Sequence, residues 1–223
     1  MAKFENHLVW KRIFIRSITL TFVLTFRYMS FRQRIKAATQ PYHDQTEQLP
    51  TRSVGEFTLA DYQDFLLTSW LFHRSLEHTL ADFLPDALKE KLQWPDRQKT
   101  PRLEQDLDEL GADYGSLPSL PYKVRTVPEA LGAMYVAEGS TLGGMMMKKQ
   151  WEGHPTIGKH SSFAFLGCYG KHTGARWKSF VEVLEAAVSR PIDEEVAIAS
   201  AQSTFEFYQT CHHQVNNQPA TPL

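Results

Sequence analysis

Cysteine is scarce in this chain, and so are charge imbalance and long apolar runs. Only Cys168 and Cys211 occur among 223 residues. They form no CxxC motif, which excludes a disulfide framework and suits a reducing, cytoplasmic compartment. Lysine plus arginine total 24 against 25 aspartate plus glutamate. A nucleic-acid-binding domain carries a basic excess, so nucleic acid is not an expected partner. The longest apolar stretch, IFIRSITLTFVLTF at 13–26, is interrupted by Arg16 and flanked by Lys11, Arg12 and Arg27. Its part after Arg16 falls short of the roughly 20 residues a bilayer crossing takes. No small-residue cleavage site follows it, and a membrane partner is not expected. Alternating strand patterns and internal repeats are absent too.

Residues 1–28 have three readings: an extension upstream of a domain start at Met29, a membrane-associated or targeting helix, or a docked core helix. The first is the expectation, so the fold argument begins with MSFRQRIKAAT. From there the signals are helical. Residues 31–49 are helical in composition, with Pro41 marking a kink or a restart. Thr58 and Asp61 form a short capping box ahead of LADYQDFLLTSWLFHRSLEHTLADFL. A charged helix is expected over 102–113. Thr126 and Glu129, with Pro128 between them, open another through about Lys149. Helices over 172–189 and 193–215 complete the set, separated by Pro191. Stretches 50–57, 94–101 and 115–122 read as loops, and SFAFLGCYG at 162–170 as a turn or buried connector. The expectation is an all-α compact helical bundle in one domain, residues 29–216, with a tail at 217–223.

One expected helix contains EGSTLGGMMMKK at 138–149, with Gly139, Gly143 and Gly144 in its interior. Each costs about 1 kcal/mol against alanine there. Spaced i, i+4 and i+5, they lie along one face. Such a strip serves close helix–helix packing or admits a flat object against the backbone. A second pattern lies upstream. In KAATQPYHDQTE, Thr39, His43 and Glu47 recur every four residues, so a carboxylate stands one turn from an imidazole it could orient. A single histidine does not hold a bare metal ion, but it suffices for haem iron. The other histidines offer poorer ligand sets: His73 and His78 share no face, His154, His160 and His172 sit near loops, and His212 and His213 close the last helix.

Together the two stretches resemble the haem oxygenase family, in particular its bacterial, biliverdin-producing branch. That family's T-x-x-x-H-x-x-x-E is matched by Thr39, His43 and Glu47. Its Y-x-x-E-G-S-x-L-G-[GA] is matched by Tyr135, Glu138, Gly139, Ser140, Leu142, Gly143 and Gly144. FLGCYG and TGARWKSF add to the likeness, which covers about residues 30–215.

The resemblance implies haem as both cofactor and substrate, held between two helices. His43 would be the proximal iron ligand, and the glycine helix a distal ceiling. O2 is the co-substrate and an unidentified electron-donor protein the source of reducing equivalents; the products are biliverdin, CO and iron. A biliverdin acceptor such as a phytochrome is one possible purpose, iron acquisition another. Gly139, Ser140 and Gly143 would be catalytic. Lys36, Thr39, His43, Glu47, Tyr135, Gly139, Gly143, Gly144 and Lys178 would bind haem, with Lys36 and Lys178 preferred over Arg176 for its propionates. Phe205 could line the apolar wall. Ser140 stands where the mammalian pattern has aspartate and matches the bacterial one. Glu138 has a catalytic reading, as an acid, and a structural or solvent-facing one. The alternative function is a haem carrier or sensor without turnover.

Overall fold

The computed structural model describes residues 29–49 and 56–217; the expectations for 1–28, for most of the 50–57 loop and for the tail beyond Asn217 lie outside it. Within it seven α-helices form a bundle: α1 (Phe31–Glu47), α2 (Leu59–Phe83), α3 (Asp86–Leu92), α4 (Thr100–Glu109), α5 (Val127–Glu152), α6 (Thr173–Ala187) and α7 (Pro191–Asn216). Among the described residues no strand occurs, and 162–170 is a turn-rich connector, as its glycines suggest.

Local chemistry explains most of the ends. Ser30 caps α1 in a reciprocal box with Gln33, and Thr58 does the same with Asp61 at α2. At α5 only half the expected box forms. The Thr126 hydroxyl accepts from the Glu129 N–H, while the Glu129 carboxylate takes the Arg125 N–H instead. Pro41 does not restart α1, which runs through it. The carbonyl deprived of a donor there belongs to exposed Ala37, where water serves.

Helix α7 is the spine. α1, α2 and α5 all pack against it, and α6 lies against α5. The α5–α7 crossing depends on Gly132: a Cβ there would sit 2.2 Å from the Ala197 carbonyl oxygen. This is the close-packing glycine of α5, and it lies outside the trio that the sequence draws attention to. α1 is fastened to α7 by the Arg34–Glu194 ion pair and by a hydrogen bond from Gln202 to the Ala38 carbonyl. The core below includes Trp151, 1% exposed and surrounded by Phe57, Tyr62 and Phe65. Apolar burial on this scale supplies the main favourable term in folding.

Two departures from the expected elements matter. Residues 86–92 form a separate short helix, and 94–101 is not a plain loop: Trp94–Arg97 is a 3-10 turn leading straight into α4. Arg97 and Lys99, on that connection, are 1% and 2% exposed.

Candidate functional site

Helices α1 and α5 both lie on α7 yet share no broad contact with each other. They come together where Tyr135 of α5 lies beside Thr39 of α1. Thr39 is buried and donates to the Ile35 carbonyl at 2.7 Å. One turn beyond Thr39 comes His43; one turn beyond Tyr135 comes Gly139. Past this contact both helices turn exposed residues outward.

On α1 the His43 side chain is 50% exposed. Its Nδ1 lies 3.7 Å from a Glu47 carboxylate oxygen and 3.9 Å from Asp44. Its ring meets Phe205 of α7 edge-on, centroids 6.1 Å apart. The carboxylate one turn away thus stands where the spacing puts it, while Asp44 adds a second acid that the i, i+4 pattern misses. The three side chains form the one metal-competent cluster found among the described residues.

On α5 the glycines divide. A Cβ on Gly144 would touch Leu166 at 3.5 Å, and one on Gly139 the Trp177 ring at 3.6 Å, whereas one on Gly143 would meet nothing within 4 Å. The trio therefore does not face one common space. Gly144 packs into the body, Gly139 rests on Trp177, and Gly143 leaves backbone bare toward the open side. Leu142 and Met146, its neighbours on that stretch, are among the exposed large apolar residues. Tyr135, expected at the haem, stacks obliquely on Trp177, centroids 5.3 Å apart, an aromatic partner to which no expectation gave a role.

The hydroxyls of α5 are turned back on their own helix. Ser140 donates to the Ala137 carbonyl at 3.0 Å and Thr141 to that of Glu138 at 2.7 Å, a pattern that competes with helix bonding and favours bending. Exposed Ser140 thus keeps its proton within the helix and offers lone pairs outward. Lys36 is exposed. Lys178 is also exposed and only 3.9 Å from Glu182. Arg176 is engaged elsewhere, with Asp96 at 2.7 Å and with Gln93.

Beneath the glycines lies a charged interior. Glu138 is 1% exposed, which removes its solvent-facing reading. Its carboxylate accepts from Arg97 and Lys99 and from the Tyr169 hydroxyl at 3.0 Å. Arg97 also donates to the carbonyls of Leu92 (2.5 Å) and Arg176 (3.3 Å) and to the Ser179 hydroxyl (3.1 Å). Glu77 receives the Lys99 and Thr100 N–H groups and the Thr100 hydroxyl, and His73 Nδ1 lies 3.6 Å from it. Burial pushes the Tyr169 phenol up to about 12 and raises the Glu77 carboxyl against the hydrogen bonds it receives. Burial, with Lys99 nearby, holds the His73 imidazole well below its ordinary value. Burial alone would depress the Lys99 ammonium; Glu138 and Tyr169 outweigh it and keep it charged.

The heme oxygenase family model matches residues 29–214. The chain belongs to the haem oxygenase family. A heme oxygenase from Xanthomonas campestris pv. campestris is 29% identical over 142 residues, 62% of this chain and 82% of that protein. The fold superposes on the Neisseria meningitidis heme oxygenase, solved with NO and CO bound, with a TM-score of 0.72 and 26% identity, covering 87% of this chain and 96% of that one. Heme oxygenase-1 of Synechocystis, in complex with heme, shares the fold at 14% identity, TM-score 0.64, with 83% and 91% covered. Among the described residues of this haem oxygenase family member, no helix is long and apolar enough to cross a membrane.

Proposed function

We propose that this chain is a haem oxygenase of the bacterial, biliverdin-producing kind, converting haem with O2 and reducing equivalents to biliverdin, CO and iron. The observation that carries the reading is the pairing of a half-exposed imidazole, His43, with the bare backbone at Gly143 on the neighbouring helix. The residues fit the substrate: one imidazole suffices for haem iron, and a position where a Cβ would find open space leaves room for a flat macrocycle. Haem, when bound, supplies the iron that takes O2 and the ring that is opened.

The chain's own contributions follow from the geometry. Nδ1 of His43 faces Glu47 and Asp44, so Nε2 is the atom left to ligate iron. A carboxylate beside the opposite nitrogen orients such a ring and strengthens its donation. Phe205 fixes the ring's edge. On the other side Gly143 leaves the main chain bare, so that no side chain at that position holds the helix off the substrate. Ser140, its proton committed to Ala137, acts as an acceptor for water above the substrate. Proton delivery then runs through such water, without a strong side-chain acid. Tyr135 and Thr39 lie side by side one turn before Gly139 and His43. Lys36 and Lys178, both exposed, serve the propionates, since little else holds them in place.

The test is direct. One equivalent of haemin is added to the full-length protein, followed by an electron donor in air. A Soret band that bleaches as biliverdin absorption rises, with CO evolved, is the expected result. A stable haem complex under a competent donor would make the chain a carrier or sensor instead.

A further inference from the structure

Glu138 occupies an unusual place for a carboxylate. It immediately precedes Gly139 and faces inward on a helix whose other face is bare. No cation on α5 stands three or four residues from it: positions 134, 135, 141 and 142 are Met, Tyr, Thr and Leu. Its partners come instead from two other parts of the chain. Arg97 and Lys99 lie on the connection into α4, and Tyr169 on the 162–170 connector. Arg97 in turn grips α6 through the Arg176 carbonyl and Ser179. Lys99 is fixed from α2, because Glu77 holds its main-chain N–H. A buried charge is tolerated when it is paired and its remaining hydrogen-bonding positions are filled; both conditions hold here.

The contacts of α5 with its surroundings at this level are otherwise soft. A Cβ on Gly139 would meet only the Trp177 ring, and one on Gly143 nothing within 4 Å. The back-bonding of Ser140 and Thr141 loosens the same turn. Close packing brackets the segment, at Gly132 on Ala197 and at Gly144 on Leu166, and between them Glu138 ties it to other elements by charged hydrogen bonds.

We propose that Glu138 is the positioning residue of the glycine helix: held from beneath by Arg97, Lys99 and Tyr169, it sets the height and rotation of the Gly139–Gly143 backbone above the substrate. The proposal rests on the haem reading given above for its functional consequence, though not for its mechanical one. Because the grip is charged and directional, it resists sliding and rotation better than apolar packing, which tolerates both. The edge of the macrocycle that meets the ceiling then depends on this buried carboxylate, which touches neither haem nor O2.

Three variants of the full-length protein test it: Glu138→Gln, Glu138→Asp and the double Glu138→Gln/Lys99→Met. The double variant removes one charge of each sign and so relieves the unpaired buried ammonium of the single one. Without haem, amide exchange across 139–144 should rise about tenfold or more in Glu138→Gln, while 31–47 stays unchanged. With haemin, affinity should stay within about threefold of the parent, since the ligand is on α1. The CO stretching band of the ferrous CO complex and the ratio of biliverdin isomers should both shift. The double variant should regain thermal stability yet keep the altered band and isomer ratio. Glu138→Asp keeps the charge on a shorter arm, so it folds and still shifts the band. Unchanged exchange in 139–144, or a double variant restored in band as well as stability, overturns the positioning role. A parent protein that forms no Soret complex overturns the haem reading instead, and the exchange result then decides the mechanical claim alone.

Discussion

His43 on α1 and Glu138 on α5 are held in opposite ways. His43 stands half in water on α1, braced by exposed Glu47 and Asp44. Glu138 is sealed under α5 among two cations and a phenol. Exposed charge pairs contribute about 0–1 kcal/mol, whereas removing one partner of a buried set costs about 3–5 kcal/mol. The difference separates two tasks. The α1 side is free to meet a ligand and contributes little to the fold; the α5 underside contributes greatly to the fold and meets no ligand.

The sharpest way to break that contrast is to remove each anchor and compare stability. Glu138→Ala leaves Arg97 and Lys99 facing each other without a counter-charge, and we expect a loss of about 3–5 kcal/mol in denaturant unfolding. A loss below 1 kcal/mol would mean that the interior charges are solvated in ways the fold does not reveal. Glycines extend the comparison. Gly132→Ala drives a methyl against the Ala197 carbonyl and should cost about 1–3 kcal/mol. Gly143→Ala meets nothing and should be neutral or stabilising by up to about 1 kcal/mol; equal effects at the two positions would contradict the division between them.

Acid titration probes His73 and Glu77, together with partly buried His212, whose burial also holds it below its ordinary value. In the unfolded chain His73 takes up its proton near 6.5, while in the fold burial and Lys99 keep it neutral to much lower pH. The unfolded state then binds more protons, so stability falls as pH drops below about 6.5, by at most about 1.4 kcal/mol per pH unit for one group. Glu77 works oppositely: its raised carboxyl favours the fold at low pH and loses that contribution as pH rises through its folded value. Replacing His73 by Leu should therefore flatten the fall between pH 6.5 and 5.5, read from thermal midpoints; an unaltered slope would assign the proton elsewhere. The smallest effect is at the exposed end. His43→Ala should change stability by no more than about 0.5 kcal/mol while abolishing the haemin Soret complex, and a large stability loss would show that His43 belongs to the core.

Much of this was legible in the sequence, and the gaps have a physical cause. Periodicity, capping residues and prolines reveal α1, α2, α5, α6 and α7 because they act within one or two turns. His43 and Glu47 are legible for the same reason. Arg97 and Lys99 were hidden in WPDRQKTP, where two prolines imitate a surface loop and the convergence of four separate segments leaves no local trace. One signal did exist: an acid inside the apolar run ALGAMYVAEGS, with no cation at i±3 or i±4, needs a partner from elsewhere. Gly132 was missed because its reason, the Ala197 carbonyl, lies 65 positions away on α7.

A haemin titration of Gly143→Leu beside the parent tests most directly the proposal that the bare backbone of α5 faces a haem held from α1. A Cβ at this position meets nothing within 4 Å, so the variant should stay folded, with thermal stability at or slightly above the parent's. The parent should form a one-to-one Soret complex and Gly143→Leu should bind haemin at least about tenfold more weakly, a difference of about 1.4 kcal/mol. Equal haemin affinity in the two proteins would contradict the placement of the substrate beneath this helix.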